Sequence, residues 1–132
     1  MSFNKTSEYE LTIIVPVFNE ESNIYLLEER LSAFLPVTLC KSCVLFVDDG
    51  SKDGSLVRIQ EVCARQSHFY YLALAKNSGL SAALKAGIDA AQSSYVGYMD
   101  ADLQTAPEDF NLLLPYREEY QLVTGIRATK LI

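Results

Sequence analysis

The sequence specifies an α/β protein with a mostly parallel sheet and helices on both faces of it. Three observations predict this. Short apolar runs rich in β-branched and aromatic residues, at 11–15, 43–47, 69–75 and 95–99, alternate with segments whose apolar residues recur at helical spacing. A fifth run at 121–124 completes the pattern βαβαβαβαβ, and such alternation implies parallel strands joined by helical crossovers. Finally, Asn19, Glu20, Asp48, Asp49, Asn77, Asp100 and Asp102 all fall directly after strands, and an open α/β sheet binds its ligands at the carboxyl ends of its strands.

Residues 1–10 are polar and without periodicity, so they are expected to form a flexible N-terminal tail, with the domain covering 11–132. Leu11-Thr12-Ile13-Ile14-Val15 reads as a strand buried on both faces, ended by Pro16 and Asn19. A helix is expected from about Glu20, with Ile24, Leu27, Leu31 and Phe34 inward, Glu20 and Glu21 at its positive end, and Pro36 as its stop. The second strand, 43–47, runs into Asp48-Asp49-Gly50-Ser51, and Asp53 is the expected N-cap of a helix burying Leu56, Ile59 and Cys63. After the third strand, Lys76-Asn77-Ser78-Gly79 has turn composition, and the helix that follows is expected to bury Leu80, Leu84, Ile88 and Ala91. The fourth strand, expected to be buried, delivers Asp100 and Asp102. Pro107 suits the first turn of a last helix, which Pro115 should end or kink.

Composition narrows the function. At 132 residues and 14.7 kDa, with 49% hydrophobic residues, the chain is one globular domain at most. A net charge of −6 with no basic face argues against nucleic acid as a partner. No apolar run approaches the roughly 20 residues of a membrane span, and a signal peptide's basic and apolar regions are missing, so a soluble, cytoplasmic chain is expected. Cys40-Lys41-Ser42-Cys43 leads into a strand, whereas a redox pair opens a helix, and only Cys63 and His68 remain to complete a zinc site. Reduced, structural thiols are the expected reading.

The Asp100-Ala101-Asp102 stretch carries the most chemistry. Two carboxylates at a strand end are hard oxygen ligands that could hold Mg²⁺ or Mn²⁺ together with substrate phosphates. Alone the motif is weak: seven aspartates in this chain give about 0.4 Asp-x-Asp pairs by chance. The turn Pro16-Val17-Phe18-Asn19-Glu20 has no Gly-x-Gly-x-x-Gly, and no Gly-x4-Gly-Lys-Ser/Thr loop exists, so any bound phosphate would be handled by a cation. The bland alternatives are solvated, helix-capping turns at Asp48–Ser51, at Asn77–Gly79 and at Asp100–Asp102, and tyrosines that only pack.

Taken together, Val15-Pro16-Val17-Phe18-Asn19-Glu20-Glu21, Val47-Asp48-Asp49-Gly50-Ser51-Lys52-Asp53-Gly54, Asn77-Ser78-Gly79 and Asp100-Ala101-Asp102-Leu103-Gln104 with Pro107-Glu108 resemble the successive motifs of family 2 glycosyltransferases of the GT-A fold. The Asp-Ala-Asp-Leu-Gln form is most similar to the branch of dolichol- and polyprenyl-phosphate sugar transferases, and the match covers roughly 11–127. The resemblance implies a three-layer GT-A domain and inverting transfer from a UDP- or GDP-sugar to a lipid-phosphate or glycan acceptor, in cell wall or polysaccharide biosynthesis. It implies that Pro16, Val17, Asn19 and Glu20 line a nucleoside pocket and that Asp49, with Asp48, bonds base or ribose. Asn77, Gly79 and Ala101 would belong to the nucleotide site, Asp100 and Asp102 would hold Mg²⁺ or Mn²⁺, and Gln104 and Arg127, with Lys130 nearby, would meet phosphate or sugar. Leu80-Ser81 stands where many relatives have a basic residue after Asn-Ser-Gly. The general base, acceptor residues and membrane-anchoring helices of such relatives are expected beyond Ile132, which would place the full-length protein at the inner face of the membrane. Homo-oligomerisation is left open.

Two other enzyme or signalling readings and one silent one compete. Asp100-Ala101-Asp102-Leu103-Gln104 superficially resembles the nucleophile loop of haloacid-dehalogenase-like phosphatases, but that loop follows the first strand and ends in Thr or Val. A receiver-like domain needs its acidic pair after the first strand and an acceptor Asp after the third, where this chain has Ala75-Lys76-Asn77. A catalytically silent nucleotide-binding fragment predicts binding without transfer.

Overall fold

The computed structural model describes residues 8–119. Four parallel strands, β1 (Leu11–Val17), β2 (Ser42–Asp48), β3 (Phe69–Ala73) and β4 (Tyr95–Tyr98), form one sheet in the order β3-β2-β1-β4. The intervening helices are α1 (Ile24–Phe34), α2 (Ser55–Arg65) and α3 (Leu80–Ala90), and a short α4 (Phe110–Leu113) follows β4. Pro107 opens a 3₁₀ turn before α4 and Pro115 lies in another after it, as their missing N–H groups dictate. The fifth strand expected at 121–124, Arg127 and Lys130 lie outside the described residues.

Handedness sets the layers. β1, β2 and β3 follow one another in one direction, so α1 and α2 share a face; the chain then steps back across the sheet to β4, and a right-handed crossover puts α3 on the other face. Odd-numbered β1 residues Ile13, Val15 and Val17 pack with Ile24, Leu27, Leu31, Phe34, Ile59 and Val62, while Ile14 packs with Leu45, Val47 and Ala83 on the α3 side. The switch in direction leaves a crevice between the carboxyl ends of β1 and β4, the usual ligand position in such sheets.

Several expectations are corrected. β1 runs through Pro16, paired with Val47, to Val17. Met99 N donates to Ile14 O at 3.0 Å, so the even-numbered β1 residues face β4; that ladder's last pair is Ile14 with Tyr98, and the N–H that Pro16 lacks has no strand left to meet. β3 ends at Ala73, not Ala75. A 3₁₀ turn, Glu21–Asn23, precedes α1, and α2 starts at Ser55 after Gly54, although Asp53 Oδ1 still accepts the Ser55 amide at 2.9 Å. α2 buries Ser55, Ile59 and Val62.

The inner face of α3 is Ala83 and Gly87, whereas Leu80 and Ile88 are about half exposed. A Cβ on Gly87 would stand 2.8 Å from Ile14 Cγ2 and 3.2 Å from Val47 Cγ2; the helix lies so close to the sheet that only small residues fit beneath it. β4, expected to be buried, exposes Val96 and Tyr98 because α3 covers β1 and β2 instead. Residues 1–10 were expected to be flexible, yet Tyr9 is buried and its hydroxyl meets His68 Nδ1 at 2.8 Å and Tyr70 Oη at 3.1 Å, and Glu10 N donates to Lys41 O at 2.8 Å. The cysteines are free; burial pushes the Cys43 thiol up to about 11 and that of Cys63 up to about 12, as inert structural thiols require.

Between α1 and α2 the Glu28 carboxylate accepts Arg65 Nε at 2.8 Å, Arg65 Nη2 at 2.6 Å and Gln66 Nε2 at 3.0 Å. Its side chain is 11% exposed, and the Arg65 bonds hold its carboxyl below the usual glutamate range against the opposing effect of burial. A depressed folded value means stabilisation that is complete above the unfolded value, near 4.3, and is lost as pH falls through the folded one. Glu28→Gln is therefore expected to cost about 1 kcal/mol at pH 7. In thermal melts the gap to wild type should close as pH drops below about 4.

Candidate functional site

The crevice holds a cleft of about 280 Å³ lined by Pro16, Val17, Phe18, Glu20, Asp49, Asn77, Gly79, Leu80, Ala83, Asp100, Ala101 and Asp102. Each wall follows from where a strand ends. After β1 the chain turns at Asn19, in the left-handed region at φ 53°, an allowed conformation for asparagine. Asn19 Oδ1 accepts the Lys52 amide at 2.8 Å and its own amide donates to Ser51 Oγ at 2.9 Å. It is a stitch between the β1 and β2 loops and lies outside the lining, contrary to the expectation that it would line the pocket. Glu20 does line it; its amide donates to Ser55 Oγ at 2.8 Å and its Oε2 accepts Asn23 Nδ2 at 2.8 Å.

The two aspartates after Val47 have different surroundings. Asp48 is the last residue of β2 and is buried, with Oδ2 accepting the Ser51 amide at 3.2 Å and Oδ1 without a hydrogen-bond partner among the described residues. It lies outside the cleft lining, because alternation along β2 turns it to the α1–α2 face. Asp49 faces the cleft and grips the opposite loop: Oδ1 accepts the Ser78 amide at 2.7 Å, and Oδ2 accepts Asn77 Nδ2 at 3.1 Å and the Gly79 amide at 3.0 Å. A carboxylate at the amide-rich start of α3 is well placed electrostatically.

The third wall follows β4. Ala101 is buried while Asp100 and Asp102 stand exposed on either side of it. Asp100 Oδ1 accepts the Tyr98 hydroxyl, and burial together with that bond pushes the Tyr98 phenol up to about 12. Asp102 Oδ1 accepts the Gln104 amide at 3.1 Å, across Leu103 at φ 64°. The loop is tied back to α1 by Asn23 Nδ2 and Arg30 Nη1, which donate to the carbonyls of Ala101 and Leu103 at 3.3 and 3.4 Å. Gln104 is not part of the lining. Phe18, Leu80 and Ala83 are, and went unassigned; the exposure of Phe18 beside a buried strand is a tertiary fact with no sequence signature.

Among the described residues the lining thus carries four carboxylates, from Glu20, Asp49, Asp100 and Asp102, and no lysine or arginine. Among the described residues no group of three or more His, Cys, Asp or Glu side chains could hold a metal by itself. Asp100 and Asp102 fit a divalent cation that completes its shell from a ligand's phosphates: they are hard oxygen donors, open to solvent, each with one oxygen hydrogen-bonded. No helix among the described residues is long and apolar enough to cross a membrane.

The Glycosyl transferase family 2 domain matches residues 12–130. The chain is 35% identical to the dodecaprenyl-phosphate galacturonate synthase of Rhizobium johnstonii, over 92% of this chain and 37% of that one. It is 32% identical to the undecaprenyl-phosphate 4-deoxy-4-formamido-L-arabinose transferase of Yersinia enterocolitica, over 90% and 37% of the two chains. The chain spans about two fifths of the length of the curated relatives it matches. Among solved structures it superposes on a mannosyltransferase of Pyrobaculum calidifontis in complex with GDP-Man and Mn²⁺, with TM-score 0.66, 22% identity and coverage of 78% of this chain and 30% of that one. It also superposes on the glucosyl-3-phosphoglycerate synthase of Mycobacterium tuberculosis in complex with Mn²⁺, UDP and glucosyl-3-phosphoglycerate, with TM-score 0.65, 16% identity and coverage of 89% and 44%. These place the fold among the GT-A glycosyltransferases.

Proposed function

The chain belongs to glycosyltransferase family 2, and on that premise we propose that its cleft binds a nucleotide-diphospho-sugar, UDP- or GDP-linked, whose sugar the enzyme transfers with inversion to a lipid-phosphate or glycan acceptor. The observation that carries the reading is the cleft itself, walled by the segments that follow the four strands and lined, among the described residues, with four carboxylates and no basic side chain. A diphosphate is repelled from such a surface unless a cation lies between. The relatives named for dodecaprenyl- and undecaprenyl-phosphate support a lipid-phosphate acceptor.

Asp100 and Asp102 would hold Mg²⁺ or Mn²⁺, which when bound supplies Lewis-acid stabilisation to the departing nucleoside diphosphate. The protein's own part is positional. Pro16, Val17, Leu80 and Ala83 offer apolar walls for a nucleoside, Asp49 offers an acceptor to base or ribose, and Asn23 and Arg30 hold the acidic loop in register with the β1 wall. A lipid-phosphate acceptor is already an oxyanion and needs orientation more than deprotonation. We propose that the catalytic base, acceptor contacts and the membrane association lie beyond the described residues, Arg127 contributing to phosphate binding.

The test is calorimetric titration of the purified protein with UDP and GDP, in Mn²⁺ and again in EDTA, followed by assay of sugar transfer to polyprenyl phosphate. Binding of at least one diphosphate in Mn²⁺, abolished by EDTA, is expected; no binding in Mn²⁺ would overturn the reading. Because the acidic loop follows β4 and not β1, no turnover of p-nitrophenyl phosphate is expected, and hydrolysis that depends on Asp100 would make the protein a phosphatase instead.

A further inference from the structure

The two aspartates of the acidic loop are held by different means. Exposure alternates along 98–102: Met99 and Ala101 are buried, while Tyr98, Asp100 and Asp102 are exposed. The buried pair pins the backbone, since the Met99 amide donates to Ile14 O at 3.0 Å and the Ala101 carbonyl accepts Asn23 Nδ2 at 3.3 Å. The exposed carboxylates are fixed only by what they bond. Asp102 Oδ1 accepts the Gln104 amide at 3.1 Å, a bond within its own turn. Asp100 has no such backbone partner among the described residues; its Oδ1 accepts the Tyr98 hydroxyl, from two residues back along the chain. Tyr98 lies outside the cleft lining, on the face of β4 that α3 leaves uncovered. Its route to the cleft is the Asp100 carboxylate.

We infer that Tyr98 is a positioning residue of the cation site, holding the Asp100 carboxylate by Oδ1 so that Oδ2 is presented to the ion before it arrives. The inference rests on the nucleotide-sugar reading above and adds to it a residue that acts on the ion only through Asp100. An exposed carboxylate samples several rotamers, and ordering it on binding costs affinity. A hydroxyl carried on a rigid ring with two side-chain torsions removes that freedom beforehand, as the hydrogen-bonded partners of metal-ligating carboxylates do in general. Phenylalanine at this position keeps the ring and loses the bond, so the substitution isolates the hydroxyl.

The experiment is a Mn²⁺ titration of the purified protein at saturating UDP or GDP, with free Mn²⁺ read by electron paramagnetic resonance, for wild type, Tyr98→Phe, Asp100→Ala and the double variant. Tyr98→Phe is expected to weaken Mn²⁺ binding about 10-fold, while its circular dichroism and its thermal melt in EDTA stay close to wild type. In the Asp100→Ala background no carboxylate remains to be held, so the same change is expected to shift Mn²⁺ affinity by less than about twofold. Undiminished or tighter Mn²⁺ binding by Tyr98→Phe would overturn the inference, the second marking the hydroxyl as a competitor for the oxygen. An equal loss in both backgrounds, the result of a purely structural role, would overturn it too. Where Asp100→Ala holds no measurable Mn²⁺, the comparison of wild type with a normally folded Tyr98→Phe decides. Failure of the wild type to bind Mn²⁺ with either nucleotide would instead overturn the nucleotide-sugar reading.

Discussion

Gly50→Ala is expected to destabilise the protein by about 2–4 kcal/mol, the sum of a left-handed backbone penalty of roughly 1–2 kcal/mol and a backbone clash of similar size. Gly50 has φ +70°, and a Cβ there would meet Asn77 N at 2.4 Å, Lys76 C at 2.5 Å and Lys76 Cα at 2.9 Å. Backbone atoms cannot rotate aside as a side chain can, so the 76–79 loop would have to move, taking with it the three bonds that Asp49 makes to residues 77–79. Gly79 is the comparison without a clash: at φ +98° and ψ 163° it sits in a region that essentially only glycine adopts, but a Cβ would meet nothing within 4 Å. Gly79→Ala should show the backbone penalty alone, on the order of 1–3 kcal/mol. Denaturant melts of the two variants check the pair; a Gly50→Ala protein no less stable than Gly79→Ala would show that the close approach of the loops carries no energy.

Asp102→Ala is expected to leave the fold intact and remove nucleotide binding. Its side chain is exposed and, among the described residues, accepts only the Gln104 amide, at 3.1 Å, so the stability cost should stay near that of a surface cap, about 1 kcal/mol. If the proposed cation site is right, loss of one of its two carboxylates should weaken Mn²⁺-dependent UDP or GDP binding by at least about 100-fold, since even partners outside a metal's own shell are worth roughly 10–100-fold. Asp48→Asn is the contrast, because Asp48 faces away from the cleft; it should alter stability and leave Mn²⁺-dependent affinity within about threefold. The measurement is a Mn²⁺ titration at fixed nucleotide for each protein. Undiminished Mn²⁺-dependent binding by Asp102→Ala would remove the acidic pair from the cation site.

Much of this molecule could be read residue by residue. The four apolar runs among the described residues are strands, the aspartates do stand at strand ends, and nine of the residues expected in the site, Pro16, Val17, Glu20, Asp49, Asn77, Gly79, Asp100, Ala101 and Asp102, line one cleft. Strand ends are local events, marked by a change in periodicity and by turn residues, and sequence carries local events well. The errors share a cause. Leu80 and Ile88 were placed inward by hydrophobicity, yet the face that touches the sheet is Ala83 and Gly87, since distance of approach, not apolar character, decided which side of α3 fits. Asn19 and Asp48 were grouped with the ligand-binding residues by position; their side chains are turned to the amides of Lys52 and Ser51.

The sequence by itself determined the order of elements, the parallel α/β class and which acidic residues would reach the carboxyl edge of the sheet, because each of these is written in periodicities of two and 3.6 and in the turns between them. Only the tertiary structure decided where the cleft opens and what Asp49 can do in it. The strand order β3-β2-β1-β4 puts the switch in direction between β1 and β4, and the partners that hold the Asp49 carboxylate come from residues 28 to 30 positions further along the chain. Contacts at that separation are fixed by crossover handedness and by how closely α3 can lie on the sheet, and no local pattern records either.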